Sequence, residues 1–109
     1  MTSKYLRHVQ HPLVQHHLGQ LRDETSSPAE FRTLSHKIAT LLASVATEDL
    51  ELADTTVKTP VAIAHARRLS QTIALVPILR AGLGLVDPLL DVIPTAEVWH
   101  LGLFRDEAT

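Results

Sequence analysis

The strongest indication of the fold lies in residues 72–84, which read TIALVPILRAGLG. The first part of this stretch, residues 72–79, is almost entirely apolar and has the length of a strand. Such a run is typical of a strand that is covered on both faces, as in a parallel sheet. The second part, residues 80–84, contains two glycines and predicts a tight turn.

The segment after this turn extends the pattern into a larger unit. An apolar stretch up to Ile93 predicts a short helix, which Pro94 stops. Residues 97–104 are again apolar and strand-like. Strand, turn, helix and strand in this order predict one βαβ unit over about residues 72–104, with its two strands parallel.

Two helices are predicted in the N-terminal part of the chain. Apolar residues repeat at helical spacing and predict a helix over about residues 12–23. Residues 27–30, SPAE, have the pattern of a capping box, in which the Ser27 hydroxyl accepts a hydrogen bond from the first turn. The apolar stripe that follows predicts a second helix over residues 28–46. Both helices are expected to form an N-terminal helical arm over about residues 12–46.

The β-rich segment between the helical arm and the βαβ unit covers about residues 55–65. Its side chains are mostly β-branched, and Pro60 interrupts the run. Because proline in a sheet is confined to edge strands and bulges, an edge strand or a hairpin arm is expected here. All elements together predict an α/β fold, with a parallel sheet and an N-terminal helical arm.

Composition excludes several classes of protein. The chain has 109 residues, which fits one domain spanning residues 1–109. Ten Lys and Arg residues against 12 Asp and Glu residues leave no broad basic face, so nucleic-acid binding is not expected. The lack of cysteine excludes disulfides, thiolate nucleophiles and cysteine-ligated metals. No apolar run approaches the roughly 18–20 residues of a membrane helix, and no signal-peptide core is present, so a cytoplasmic protein without membrane contact is expected.

Two arginines mark the ends of the predicted parallel strands. Arg80 follows the first strand and Arg105 the second, and such carboxyl ends meet at the sheet edge where α/β folds bind ligands. The two guanidinium groups are therefore expected to form a bidentate anion clamp. Ala81, Gly82 and Gly84 would form a turn whose N–H groups support the same phosphate. Alternatively, Arg80 is solvated and the glycines only make the turn.

Other ligand motifs are incomplete. A GxGxxG fingerprint fails because Asp87 stands at the third glycine position, and no P-loop motif occurs. Asp106 and Glu107 could help to hold a hydrated cation or could simply be solvated. Four histidines lie near the N-terminus: His8, His11, His16 and His17. We expect solvated or hydrogen-bonded side chains there, and a metal site is the alternative.

Several short motifs occur in a fixed order along the chain. The most specific are residues 76–84, VPILRAGLG, and residues 101–107, LGLFRDE. Shorter ones precede them, namely His11-Pro12-Leu13-Val14 with His16, Leu18-Gly19, Arg22, Phe31-Arg32, Ala46-Thr47 and Asp49-Leu50. In this order the motifs resemble uracil phosphoribosyltransferases over almost the whole chain, with Phe104 where that family commonly has tyrosine.

The resemblance implies an enzyme of pyrimidine salvage, which joins uracil to phosphoribosyl diphosphate and gives UMP and diphosphate with Mg²⁺ present. It also implies that Arg80 and Arg105 contact phosphoribosyl diphosphate, in agreement with the clamp, and that the sheet is of the phosphoribosyltransferase type. Members of the family are usually homo-oligomers, and GTP is an effector of some of them.

The resemblance covers only part of the family's chain. Its members continue for about as much chain again, with a Thr-Gly-Gly phosphate loop and a segment that reads uracil, and the 109 residues contain neither. The chain is therefore expected to be the N-terminal part of one phosphoribosyltransferase domain, with a partial sheet. Alone, it is expected to be inactive and either marginally stable or self-associating, because the edges of its sheet are open. The alternatives are a noncatalytic phosphate- or nucleotide-binding or interaction protein that retains the arginine clamp, and a truncation product without a function.

Overall fold

A computed structural model describes residues 5–102 of the chain. The helices are α1 (Pro12–Leu21), α2 (Pro28–Ala46) and α3 (Val86–Val92), the last preceded by a 3₁₀ helix over Ala81–Leu85. The strands are β1 (Leu52–Lys58), β2 (Ile63–Leu69), β3 (Ala74–Leu75), β4 (Ile78–Leu79), β5 (Glu97–Val98) and β6 (Leu101–Gly102). Within these residues, no helix is both long enough and apolar enough to cross a membrane.

The two N-terminal helices form because local signals begin and end them. The Ser27 hydroxyl accepts a hydrogen bond from the Glu30 N–H at 3.1 Å, so α2 begins as the capping pattern predicts and spans the predicted residues. Helix α1 begins at the predicted residue, after a His11 side chain that accepts from the Leu13 N–H. It ends at Leu21 rather than residue 23, because the Asp23 carboxylate accepts from the Thr25 N–H and starts a turn.

The core lies where α2 packs against the other helices. Helix α2 contacts α1, α3 and the 3₁₀ helix. The buried apolar residues come from these elements and from the end of α3: Val14, Leu34, Ala39, Ala43 and Ile93. The small side chains of Ala39 and Ala43 let the neighbouring helices approach α2 closely. Helix α2 is therefore the element on which the other helices pack.

Residues 52–69 form an antiparallel hairpin. Strand β1 pairs with β2 from Leu52 opposite Leu69 to Lys58 opposite Ile63. Thr59 holds the connection, because its N–H donates to the Ala62 carbonyl at 2.8 Å and its hydroxyl accepts from the Ala62 N–H at 3.0 Å. Of the two sequence-based interpretations, the hairpin arm is the one observed. Pro60 lies in the connection instead of interrupting a strand, so it costs no ladder hydrogen bond.

The predicted parallel pairing is confirmed, but neither predicted strand is continuous. The second, predicted over residues 97–104, is observed as β5 and β6, and residues 103–104 lie outside the described residues. Strands β3 and β5 are parallel, as are β4 and β6, and Ala74 opposite Glu97 and Ile78 opposite Leu101 belong to one register. Within that register residue 77 should donate its N–H to the Trp99 carbonyl, and Pro77 has none. The predicted strand over residues 72–79 therefore appears as two short strands on either side of Val76 and Pro77.

Within the described residues only one of the two faces of this strand is covered. Alternate residues of a strand point to opposite faces. Pro77 is buried and Leu75 and Leu79 are half-buried, whereas Val76 and Ile78 on the other face are exposed. The 3₁₀ helix covers only the first face. Nothing within residues 5–102 supplies the second layer that the apolar pattern requires.

Candidate functional site

The candidate site surrounds Arg80, at the carboxyl end of β4. Arg80 is exposed and lies between that strand and the 3₁₀ helix, and the peptide bond before it is cis. The ion pairs found within residues 5–102 involve Arg7, His65 and Arg67, and none involves Arg80. The guanidinium group is therefore open to a ligand as far as the described residues are concerned.

Two N–H groups after Arg80 add to the positive potential of this turn. The first hydrogen bond of the 3₁₀ helix runs from the Leu83 N–H to the Arg80 carbonyl at 3.1 Å, and no side chain caps the helix. The N–H groups of Ala81 and Gly82 consequently have no acceptor within residues 5–102. Unpaired N–H groups next to a guanidinium group make a suitable environment for a phosphate oxygen.

The two glycines of the turn have different structural roles. A Cβ atom on Gly82 would lie 3.2 Å from the Cα atom of Pro77, whereas a Cβ atom on Gly84 would meet nothing within 4 Å. Neither glycine has a positive φ angle. Gly82 thus allows the 3₁₀ helix to approach the strand, and this contact positions Arg80. The sequence contains no signal for the contact, because any small turn residue fits the local pattern.

The structure pairs the end of the first predicted strand in parallel with the second. The pairing holds up to Leu79, the last residue of β4, which lies opposite Gly102, the last described residue. Arg105, the second member of the predicted clamp, lies outside the described residues, as do Asp106 and Glu107. The juxtaposition of Arg80 and Arg105 therefore stays a prediction, although the pairing of the strand ends is the arrangement on which it depends.

The N-terminal histidines do not form a metal site within the described residues. The His8 Nδ1 atom is 2.9 Å from the Gln10 side-chain amide, and His11 caps α1. The rings of His16 and His17 lie next to each other, with centroids 5.4 Å apart. No group of three or more metal-ligating side chains occurs within residues 5–102. His8 and His11 thus have hydrogen-bond partners, whereas the His17 Nδ1 atom is buried without one among the described residues.

Apart from the surroundings of Arg80, a concave region lies between α1 and α2. It has a volume of about 460 Å³ and is lined by polar side chains that include Asp23, Glu30 and Lys37. The Thr25 hydroxyl donates to Asp23 at 2.7 Å and its N–H donates at 2.8 Å, and these two bonds hold the pKa of the Asp23 carboxyl below its usual value. The Asp23 carboxylate thus stabilises the turn after α1.

Comparison with known proteins gives a consistent result. The family model described as uracil phosphoribosyltransferase matches residues 8–109. A protein named uracil phosphoribosyltransferase from Roseiflexus sp. (strain RS-1) is 56% identical over 100 residues, which are 92% of this chain and 48% of the relative. Its namesake from Thermus thermophilus is 52% identical over 99 residues, which are 90% of this chain and 48% of the relative.

The fold also matches a solved structure. A protein from Aquifex aeolicus superimposes with a TM-score of 0.81 at 32% sequence identity, over 92% of this chain and 49% of that chain. The predicted α/β class with a partial parallel sheet is thus confirmed. In both kinds of comparison the chain spans about half the length of the proteins that it matches.

Proposed function

Because the chain belongs to the uracil phosphoribosyltransferase family, we propose that it provides the phosphoribosyl-diphosphate-binding part of a transferase of pyrimidine salvage. The whole enzyme would transfer the phosphoribosyl group to uracil and release UMP and diphosphate. One observation carries the proposal. Arg80 has no ionic partner within residues 5–102 and lies at the end of β4, which pairs in parallel with β6.

The chemistry of the reaction explains why a guanidinium group belongs there. When the anomeric bond breaks, negative charge accumulates on the departing diphosphate, and the sugar carbon acquires oxocarbenium character. A fixed cation stabilises that developing charge more strongly than it stabilises the bound substrate, and it therefore lowers the barrier. In this proposal Arg80 and Arg105 bind the diphosphate, and the base attacks the sugar carbon.

The turn after Arg80 is proposed to support the same phosphate. The N–H groups of Ala81 and Gly82 have no acceptor within residues 5–102, and the Gly82 contact with Pro77 places them close to the strand end. Gly84 belongs to the same 3₁₀ helix but makes no such contact. Ala81 and Gly82 are therefore the donors that we assign to the phosphate, and Gly84 is the third residue of the same proposed phosphate turn.

Magnesium is proposed to enter with the diphosphate substrate. Mg²⁺ in phosphate-transfer sites usually keeps several waters and is bound by substrate phosphates with only one or two carboxylates. When bound, the ion neutralises diphosphate charge and adds to the effect of Arg80.

Further features of the whole protein follow from the resemblance. We propose a homo-oligomer, and the hairpin tip offers exposed apolar side chains, Val61 and Ile63, that fit a subunit contact. A cytoplasmic location and GTP as an effector belong to the same proposal.

Residues 1–109 alone are proposed not to form UMP, since they span about half the length of their relatives. A noncatalytic binding or interaction protein is not favoured, because the matched relatives carry the name of the enzyme.

The experiment that tests this proposal is calorimetric titration of the chain with phosphoribosyl diphosphate and Mg²⁺. We expect binding by the wild-type chain and a loss of about ten- to a hundredfold in affinity for Arg80→Ala, since hydrogen bonds to charged groups contribute roughly 1.5–3 kcal/mol. Arg68→Ala is the matched control, because Arg68 is an exposed arginine on the hairpin. Equal binding by both variants, or no binding by the wild-type chain, would contradict the proposal.

A further inference from the structure

The turn that carries Arg80 packs on one face of the parallel strands. A Cβ atom on Gly82 would lie 3.2 Å from the Cβ atom of Pro77. Because the side chains of a strand alternate between its two faces, this approach places the turn on the face to which Pro77 points. Leu75 and Leu79 point to the same face and are half-buried.

The second strand presents His100 on that same face. Strands β3 and β5 pair in the same register as β4 and β6, in which Leu79 lies opposite Gly102. This register places His100 opposite Pro77. Residues that lie opposite each other in a parallel pair point to one face, and neighbouring strands are about 4.8 Å apart. His100 thus lies beside the residue on which the turn rests.

The imidazole ring of His100 is open to a ligand as far as residues 5–102 are concerned. His100 is exposed, although Pro77 opposite it is buried. The 3₁₀ helix contacts β4, whereas the part of the face formed by Val98 and His100 stays exposed. Within the described residues the His100 side chain takes part in no hydrogen bond and no ion pair.

The charged groups around His100 leave it without an internal anionic partner. The 3₁₀ helix has no charged side chain of its own, and Arg80 precedes it. The Glu97 carboxylate belongs to the other face, where it accepts a hydrogen bond from a tryptophan indole at 3.2 Å. Asp87 and Asp91, the carboxylates of α3, are exposed and form no ion pair within residues 5–102. An external anion therefore meets no competitor among the described ion pairs.

We propose that His100 is a further phosphate-binding residue of the Arg80 site, and that its imidazole donates a hydrogen bond to the diphosphate group of phosphoribosyl diphosphate. This inference rests on the proposed function. Arg80 and the N–H groups of Ala81 and Gly82 would approach the diphosphate from the turn, and His100 would approach it from the neighbouring strand. Imidazole suits this position because it carries an N–H donor in both of its protonation states, and phosphate oxygens accept.

One property distinguishes His100 from the other donors of the site. A guanidinium group stays charged and a backbone N–H group does not titrate, whereas the charge of histidine changes between pH 5 and 8. A hydrogen bond from a charged donor to a phosphate is roughly twice as strong as one between neutral groups. The contribution of His100 to binding should therefore be larger at pH 6 than at pH 8. A histidine that only supports the strand would contribute equally at both.

Calorimetric titration with inorganic diphosphate and Mg²⁺ at pH 6 and at pH 8 tests this inference. His100→Gln keeps an N–H donor but cannot become charged. We expect this variant to bind about tenfold more weakly than the wild-type chain at pH 6, and within about threefold of it at pH 8. Variant and wild type are compared at the same pH, because phosphate groups themselves change protonation near pH 6.

His36→Gln is the matched control, because His36 is an exposed histidine of α2. It should bind diphosphate like the wild-type chain at both pH values. A loss of affinity in His100→Gln that is the same at pH 6 and pH 8 would assign His100 a structural role and overturn the inference.

Arg80→Ala in the same titration separates this inference from the proposed function. If Arg80→Ala weakens binding but His100→Gln binds like wild type at pH 6, the inference fails and the proposed function stands. If only His100→Gln weakens binding, His100 is a phosphate-binding residue and the proposed role of Arg80 is wrong. A wild-type chain that does not bind diphosphate contradicts both.

A measurement on the wild-type chain needs no substitution. The ring ¹H–¹³C NMR signal of His100 should shift on addition of diphosphate, whereas the signal of His36 should not. An unchanged His100 signal at saturating diphosphate would refute the inference even if the His100→Gln chain did not fold.

Discussion

A Cβ atom on Gly82 would lie 3.2 Å from both the Cα and Cβ atoms of Pro77, so the turn that carries Arg80 packs directly on the residue that interrupts its strand. Pro77 is buried at this contact. The same proline removes one ladder hydrogen bond and provides the flat surface on which the 3₁₀ helix rests. The position of Arg80 thus depends on a contact between two residues without side-chain hydrogen-bonding groups.

Gly82→Ala should therefore destabilise the turn, whereas Gly84→Ala should not. The added methyl group on residue 82 must displace strand backbone, which costs about 1–3 kcal/mol of unfolding free energy in a packed site. Gly84 has open space, so its substitution should stay within about 0.5 kcal/mol of wild type. Urea denaturation followed by circular dichroism measures both. Equal stability of the two variants would show that the Gly82 contact is not tight.

Arg80→Lys should bind phosphoribosyl diphosphate with an affinity between those of the wild-type chain and Arg80→Ala. Lysine keeps the positive charge but lacks the planar fork that contacts two phosphate oxygens at once. The measurement is calorimetric titration at two salt concentrations. Screening by salt should weaken the contact of the lysine point charge more than the paired hydrogen bonds of arginine. If Arg80→Lys binds as well as wild type at both concentrations, bidentate contact is not part of the site.

Ser27→Ala should lower the free energy of unfolding by about 1 kcal/mol, because it removes the cap of α2. The Ser27 hydroxyl is the acceptor for the Glu30 N–H, and α2 contacts most of the remaining helical residues. Ser44→Ala in the same helix is the control; Ser44 is exposed, and alanine has the higher helix propensity. Thermal unfolding of both variants compares them. A control that is destabilised as much as Ser27→Ala would argue against a specific capping effect.

Thr25→Val should raise the pKa of Asp23 toward its ordinary value of 3.8. The hydrogen bond from the Thr25 hydroxyl lowers this pKa most. The hydrogen bond from the Thr25 N–H lowers it less, and the variant keeps that bond. Since folding lowers this pKa, the contribution of Asp23 to stability is present above the unfolded value and is lost as the pH falls through the folded value. NMR titration of the Asp23 carboxyl carbon measures the shift, with Thr40→Val as a distant control. An unchanged pKa in Thr25→Val would assign the effect to the backbone bond alone.

Local signals predicted the helices well. The bounds of α2 follow from a capping sequence and an apolar stripe, both of which are contained in the segment itself. The hairpin was only partly predicted. Its strands extend to Leu52 and Leu69, beyond the predicted residues 55–65, because cross-strand pairing recruits residues that lack β-branched side chains.

The candidate site was predicted in its parts but not in its packing. Arg80 and the adjacent glycines were identifiable from the order of strand, turn and helix. The different roles of Gly82 and Gly84 were not, because they depend on which atoms of a neighbouring strand approach each glycine. Arg105, outside the described residues, stays a prediction that rests on the pairing of Leu79 with Gly102.

The sequence by itself determined where the helices begin, that an apolar strand precedes Arg80, and which family the motifs resemble. These properties reside in short segments, whose caps, turns and periodicity act within a few residues. Only the tertiary structure decided that Pro77 divides the strand, that Gly82 lies against Pro77, and which face of that strand is open within residues 5–102. These properties depend on contacts between distant segments, and the free energy of such contacts is set by the neighbour that is present rather than by the segment alone.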